Sequence, residues 1–155
     1  MKISLIAVGQ RMPAWVNEAY EDFAKRMPRE CAIRLIEIPA AKRTKNTGIT
    51  HAQKEEAERS LEAAPKGALL VALDTRGKEL STEQLSVQLA DWLQGGRDIA
   101  LIIGGPDGLA DAVMKRADIK WSLSKLTLPH AMVRVVVAEQ IYRAWSMLKN
   151  HPYHR

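Results

Sequence analysis

Three uninterrupted apolar runs constrain the fold of this chain more than any other feature. They cover Ile3–Gly9, Ala68–Asp74 and Asp98–Gly104, and each is followed by a segment with helical spacing. Continuous apolar strands are buried on both faces, as in parallel sheets. With the alternating segment Ala32–Pro39 and a last strand at Trp121–Leu128, they predict an open parallel α/β sheet with helices between the strands.

The length and composition favour one ordinary globular domain. The chain has 155 residues, 46% of them hydrophobic and 26% charged, which predicts a single domain over residues 1–155. Cys31 is the one cysteine, so an internal disulfide and a multi-cysteine metal site are excluded. The N-terminus lacks a signal-peptide pattern, and no apolar run approaches membrane-spanning length. We therefore expect a cytoplasmic protein with no membrane contact.

Turn and cap residues divide the connecting segments. Proline opens the first and last helices, at Pro13 and Pro129, because the first helical turn needs no N–H there. The other predicted elements are a charged helix from Thr50 to about Ala64, a turn at Thr75–Lys78, a helix capped by Ser81 with Gln84 and stopped by Gly95–Gly96, and a short helix over Leu109–Ala117.

Ligands of such sheets bind at the carboxyl ends of the strands. Three segments meet that edge: Leu73–Asp74, Gly104–Gly108 and Leu123–Leu128. The glycine turn is not a dinucleotide fingerprint, and Pro106 removes an N–H that a phosphate cradle would use. It is either a tight structural turn or a place where backbone approaches a flat ligand. Likewise, Leu123–Leu128 is either an ordinary strand or a holder of adenine through main-chain groups and apolar contact.

The last helix is apolar on most sides, which indicates burial on most sides and favours a homodimer. Arg134 lies among apolar positions and so needs a partner or a ligand. Glu139 and Arg143 are spaced to form an ion pair. The chain then ends in His151, Pro152, Tyr153, His154 and Arg155, a tail suited to proton transfer, stacking or phosphate contact. Its histidines lack the spacing of metal ligands, so we expect no metal.

A net charge of +5 allows a nucleic-acid partner without requiring one. Lys42, Arg43 and Lys45 crowd one loop, where they would contact RNA backbone if they converge with other cations. The alternative is solvated charge scattered over the surface.

Four segments together resemble the RlmH family, small methyltransferases of the SPOUT superfamily. They are MKISLIAVGQRMPAWV, LIIGGPDGL, SLSKLTLPHAMVRVVVAEQIYRAW and the terminal NHPYHR, and the resemblance covers the whole chain. It implies a C-terminal trefoil knot, a homodimer, and transfer of a methyl group from S-adenosylmethionine to N3 of a pseudouridine in helix 69 of 23S ribosomal RNA on the assembled 70S ribosome. Asp107 stands where the family is expected to have Glu.

Carried over by position, the resemblance implies a cofactor site, and we expect neither metal nor DNA. The cofactor residues are Leu73, Gly104, Leu123, Ser124, Lys125, Leu126, Thr127 and Leu128. The acceptor of that reaction is an imide nitrogen that must lose a proton, so we hypothesise His130, Tyr153 and His154 as candidates for proton handling, Arg134 and Arg155 for charge stabilisation, and Tyr153 also for stacking on the base. Two rival functions are ribose 2′-O-methylation of transfer RNA and non-catalytic ribosome binding.

Overall fold

The computed structural model describes residues 1–46 and 48–155, and its core is a five-stranded sheet. The strands are β1 (Lys2–Val8), β2 (Ala32–Ile38), β3 (Leu69–Glu79), β4 (Ile99–Ile103) and β5 (Ile119–Ser122). All pairs are parallel, in the order β2-β1-β4-β3-β5. The predicted parallel α/β sheet is confirmed. Because the strands are parallel, their carboxyl ends share one edge of the sheet.

Five α-helices cover the two faces of the sheet. They are α1 (Ala14–Ala24), α2 (Ile49–Ala63), α3 (Thr82–Gly95), α4 (Asp111–Arg116) and α5 (His130–Leu148). One buried cluster joins side chains of α1, α3 and α5 to the sheet, and a second joins those of α2 and α4. Helices on both faces explain why β1 and β4 read as continuous apolar runs, since each is buried almost throughout.

Helix boundaries follow the predicted cap chemistry. The Ser81 side chain accepts a hydrogen bond from the Gln84 amide, and the Gln84 side chain accepts one from the Ser81 amide. Gly96 ends α3 in the left-handed conformation, which glycine adopts without steric cost. Pro13 and Pro129 stand immediately before α1 and α5. In the described part of the chain, no helix is long and apolar enough to cross a membrane.

The predicted turn at Thr75–Lys78 is wrong, because β3 continues through it to Glu79. The pairing of β3 with β5 shifts register between Leu73 and Lys78, so that Trp121 is opposite both residues. The intervening residues bulge from the ladder, as extra residues in one strand must. A Cβ on Gly77 would lie 2.6 Å from the backbone of Lys120 and Trp121. The glycine therefore permits the close approach of the two strands.

The predicted last strand, Trp121–Leu128, is also too long. The strand β5 ends at Ser122, and residues 123–129 form a loop between the sheet and α5. An edge strand pairs with only one neighbour, here β3, and that pairing stops at Glu79 opposite Ser122. The short helix is likewise smaller than predicted, Asp111–Arg116.

Candidate functional site

A cavity at the carboxyl edge of the sheet gathers five of the eight predicted cofactor residues. Its lining consists of Leu73, Asp74, Thr75, Leu123, Ser124, Leu126, Leu128 and Val133. Lys125 and Thr127 belong to the same loop but are exposed and outside this lining. The end of β3, the loop after β5 and the first turns of α5 therefore form one site.

The cavity walls combine leucine side chains with main-chain groups outside the strand ladder. The Leu126 side chain, which belongs to the cavity lining, is 71% exposed and so offers apolar surface to a ligand. Two local hydrogen bonds fix the conformation of the loop: the Leu126 amide donates to Ser124 Oγ, and Ser122 Oγ donates to the Ser124 carbonyl. A flat ligand with an apolar body and hydrogen-bonding edges suits such a wall.

Gly104 lies in the turn after β4 and outside the lining of this cavity. It is buried, and a Cβ at that position would lie 2.6 Å from the carbonyl carbon of Gly108. The turn closes on itself through an isolated bridge between Gly105 and Gly108. Gly104 therefore sets the shape of the turn after β4 by bringing no side chain to it.

A second, larger cavity adjoins the first at Asp74, and no sequence pattern indicated it. Its volume is about 570 Å³, and its lining includes Gln53, Lys54, Arg76, Asp107 and Asp111. Burial alone would raise the pKa of Asp74, but hydrogen bonds and charge from Arg76 outweigh it and lower that pKa. Asp74 is therefore an ionised, arginine-paired carboxylate between the two cavities.

His130 and Arg134 lie together at the carboxyl end of β1. A Cβ placed on Gly9 would be 3.5 Å from His130 Nε2 and 3.7 Å from Arg134 Nη2. Arg134 is fully buried; its Nη1 donates to Glu37 and its Nη2 to the Gly9 carbonyl, both at 2.7 Å. The predicted need of Arg134 for a partner is confirmed. Burial, reinforced by the charge of Arg134, lowers the pKa of His130.

The C-terminal tail folds back onto its own chain. Tyr153 packs edge-on against Tyr142, with ring centroids 4.6 Å apart, and its hydroxyl donates to Glu139. His154 Nδ1 is 3.3 Å from Ser146 Oγ. The predicted pair between Glu139 and Arg143 is present, with N–O distances of 2.6 and 2.8 Å. Burial and the bond to Glu139 raise the pKa of Tyr153, so its phenol keeps its proton.

The tail therefore lies beside α5 and not at the cavity within this chain. The cavity touches α5 at Val133, whereas the tail touches it from Glu139 onward. Six residues of helix separate these positions by about 9 Å along the axis. The catalytic roles of Tyr153, His154 and Arg155 stay predictions.

The basic loop offers fewer free cations than its sequence suggests. Arg43 donates to Glu56, Asp107 and the Ala41 carbonyl, and these hydrogen bonds raise its pKa. Glu56 is buried, so the arginine compensates a charge inside the protein. Arg43 is therefore committed to contacts within the chain, while Lys42 and Lys45 are exposed, and contact of this loop with RNA stays a prediction. Sequence alone does not tell an outward cation from one that ties a loop to the core.

Metal ligation finds no support in residues 1–46 and 48–155, where no group of three or more His, Cys, Asp or Glu is placed to hold an ion. The two histidines of the tail are used differently: His151 Nδ1 accepts a hydrogen bond from the Tyr153 amide, and His154 contacts Ser146.

Solved structures support the fold. The chain superposes on a probable methyltransferase from Bordetella pertussis Tohama I with a TM-score of 0.59 and 17% identity, covering 92% of this chain and 95% of that one. A probable methylase family protein from Haemophilus influenzae Rd KW20 gives a TM-score of 0.58 at 13% identity, over 99% of this chain and 70% of that one. At such identities the likeness concerns architecture.

Sequence relatives are much closer. Proteins named ribosomal RNA large subunit methyltransferase H are 58% identical in Thioalkalivibrio sulfidiphilus and 56% identical in Methylococcus capsulatus. Each match covers all of this chain, with 99% and 100% of the relative. The family model described as predicted SPOUT methyltransferase matches residues 1–154. The parallel sheet, the cavity at its carboxyl edge and these matches agree: the chain belongs to the SPOUT methyltransferase family.

Proposed function

We propose that this protein methylates large-subunit ribosomal RNA, transferring a methyl group from S-adenosylmethionine to N3 of a pseudouridine in helix 69 of 23S RNA on the 70S ribosome. The observation that carries the proposal is the cavity lined by Leu73, Leu123, Ser124, Leu126 and Leu128, in a chain whose relatives at 56–58% identity are named for large-subunit RNA methylation. A cytoplasmic location follows from that substrate.

The first cavity has a volume of about 60 Å³, less than a whole cofactor needs, so we infer that it receives the adenine end of S-adenosylmethionine. Leucine side chains offer apolar surface to an adenine, and the loop of residues 123–129 has main-chain groups outside the sheet ladder. Gly104 lets the turn after β4 pack tightly on itself. We infer that Leu73, Leu123, Ser124, Leu126 and Leu128 line the site, with Lys125, Thr127 and Gly104 completing the loops that carry it. When bound, the cofactor supplies a methyl group activated as a sulfonium.

The acceptor N3–H must lose its proton for the nitrogen to attack. His130 is half-buried, and its lowered pKa keeps it neutral at pH 7, so its imidazole can accept that proton. Arg134 fixes the first turns of α5 to β1 and β2 and places positive charge beside His130. That charge stabilises an anion developing nearby.

A second copy of the chain would complete the site. Transfer needs reacting atoms roughly 3–3.5 Å apart, yet the tail of one chain contacts α5 well away from its own cavity. Trp15 on α1 and Met132 on α5 are exposed, at 53% and 37%, and a homodimer through these helices would cover them. We infer that Tyr153, His154 and Arg155 serve the partner's cavity, and that the C-terminal segment forms the family's trefoil knot.

RNA backbone contact falls to Lys42 and Lys45, since both are exposed on the loop that Arg43 anchors. Each phosphate contact releases counterions, so binding should weaken steeply with salt. Lysines that contact only phosphate carry no sequence information. Selection of one nucleotide therefore depends on the shape of the ribosome around helix 69.

The deciding experiment is transfer of labelled methyl from S-adenosylmethionine to intact 70S ribosomes, free ribosomal RNA and transfer RNA in parallel. Label on 70S particles alone, mapping to N3 of a pseudouridine, is the expected result. Label on a ribose of transfer RNA would establish the rival 2′-O-methyltransferase. Bound cofactor without label on any RNA would overturn the proposed substrate and leave the fold unaffected.

A further inference from the structure

Arg76 joins segments that shape the cofactor cavity. It lies in the β3 bulge between Leu73 and Lys78. Its Nε and Nη2 form a fork on the Asp74 carboxylate at 2.8 and 3.1 Å, and its own amide donates to Asp74 Oδ1 at 2.9 Å. Such a bidentate pair fixes direction as well as distance. These hydrogen bonds therefore fix the conformation of the bulge, next to Leu73 and Thr75 in the cavity lining.

The same guanidinium reaches the turn after β4. Nη2 donates to the Leu109 carbonyl at 3.1 Å, and Nη1 lies 3.5 Å from Asp111 Oδ1 at the start of α4. Leu109 is buried, so this carbonyl belongs to a packed part of the turn. One side chain thus ties the end of β3 to the segment that follows the Gly104–Gly108 turn.

The bulge also fixes the third segment. Gly77, the next residue, packs directly on the backbone of Lys120 and Trp121, and the cavity loop begins two residues later at Leu123. Residues 74–77 of β3 therefore contact both the segment after the β4 turn and the backbone of β5.

We propose that Arg76 is a positioning residue that holds the β3 bulge, the segment after the β4 turn and β5 in the arrangement needed to bind S-adenosylmethionine. This rests on the proposed function for the identity of the ligand. Arg76 acts through Asp74 and Leu109, and the Asp74 carboxylate that it pairs stays ionised between the two cavities. The exposed part of the arginine, 53% of its side chain, leaves room for relaxation. Its loss should loosen the site without unfolding the sheet.

The test compares R76A and R76K with R97A. Arg97 is a matched control, because it also donates to a backbone carbonyl, that of Gly67, at the opposite end of the sheet. Calorimetry gives the Kd for S-adenosylmethionine, steady-state rates give KM and kcat, and amide hydrogen exchange of the cofactor-free protein reports residues 107–111. The unfolding midpoint shows whether each variant is folded.

We expect R76A to raise the Kd and the KM for the cofactor about tenfold, with kcat changed much less, and to accelerate exchange at residues 107–111. R76K, which keeps the charge but not the fork, should fall between, and R97A should match the wild type. If R76A does not fold, the Kd, the KM and the exchange rates of R76K are compared with those of R97A and the wild type instead.

Unchanged exchange at residues 107–111, or an unchanged Kd despite faster exchange, would overturn the proposal. Wild-type protein that fails to bind the cofactor would contradict the proposed function instead, and the exchange result would still decide whether Arg76 holds the turn.

Discussion

His130 is the residue whose ionisation should be visible in the reaction. Burial and Arg134 lower its pKa, so the neutral, proton-accepting form predominates at pH 7 and is lost on acidification below the ordinary value of about 6.5. We expect kcat to fall on an acidic limb below that pH. H130A should lower kcat by about 10²–10⁴-fold and abolish the limb. A pH–rate series on 70S substrate measures both.

His51 provides the control for this prediction, since it is exposed on α2. H51A should keep the wild-type profile. If H130A keeps the acidic limb, another group accepts the proton.

Arg134 should matter for stability, whatever it does in catalysis. It is fully buried, whereas its partner Glu37 is 34% exposed. Removing the arginine leaves a carboxylate that water can still reach, so we expect R134A to cost about 2–3 kcal/mol, less than a fully buried pair would. Urea unfolding measures this. R59A breaks a more exposed pair with Glu55 and should cost at most about 1 kcal/mol; equal losses would mean that burial of Arg134 contributes nothing.

At the scale of elements, the turn after β4 should tolerate no side chain at Gly104. A Cβ would fall 2.6 Å from Gly108, so G104A must displace the backbone of the turn, which lines the larger cavity at Gly108 and Leu109. We expect weaker binding of S-adenosylmethionine in calorimetry, with an unchanged helix and strand signal in circular dichroism. A Cβ on Gly95 would meet no atom of the described residues within 4 Å, and G95A should bind like the wild type. Equal affinity in both variants would show that the turn does not shape the site.

The elements that the sequence predicted well are those whose signal is local. Continuous apolar runs indicated the inner strands, and the Ser81–Gln84 capping box indicated the start of α3. The errors lie where pairing decides. Residues 75–78 look like a turn but continue β3 past a bulge, because β5 is there to pair with. Residues 123–128 look like a strand, but the pairing of β5 with β3 stops at Ser122.

Part of the site could be predicted, because the strand pattern fixes which chain segments meet at the edge of the sheet. Carboxyl ends of parallel strands must meet, so the strand pattern alone places Leu73 and the loop after β5 together. The hydrogen bonds from Arg43 to Asp107 and from Arg76 to the Leu109 carbonyl could not be predicted, because each joins residues that are distant in sequence. The charge pattern of a sequence does not show which arginines and lysines will be paired within the fold and which will stay exposed.

At the scale of the whole molecule, the proposal that the cavity of one subunit works with the tail of the other can be tested by mixing two inactive variants. In a symmetric dimer, each site would take its cavity from one chain and its tail from the other. A chain lacking residues 153–155 and a chain with G104A should each be inactive or nearly so. Mixed in equal amounts and allowed to exchange, they should form heterodimers that hold one intact site, and methyl transfer to 70S ribosomes should recover to about a quarter of the wild-type rate.

Sedimentation must first show that both variants are dimers, since a monomer could not complement. Each variant incubated alone under the exchange conditions gives the baseline. Recovery above that baseline requires a tail to act on a cavity in the other subunit. Dimers that exchange subunits yet stay inactive would mean that each tail serves its own chain, and Tyr153 would then have to leave Glu139 to reach its own cavity.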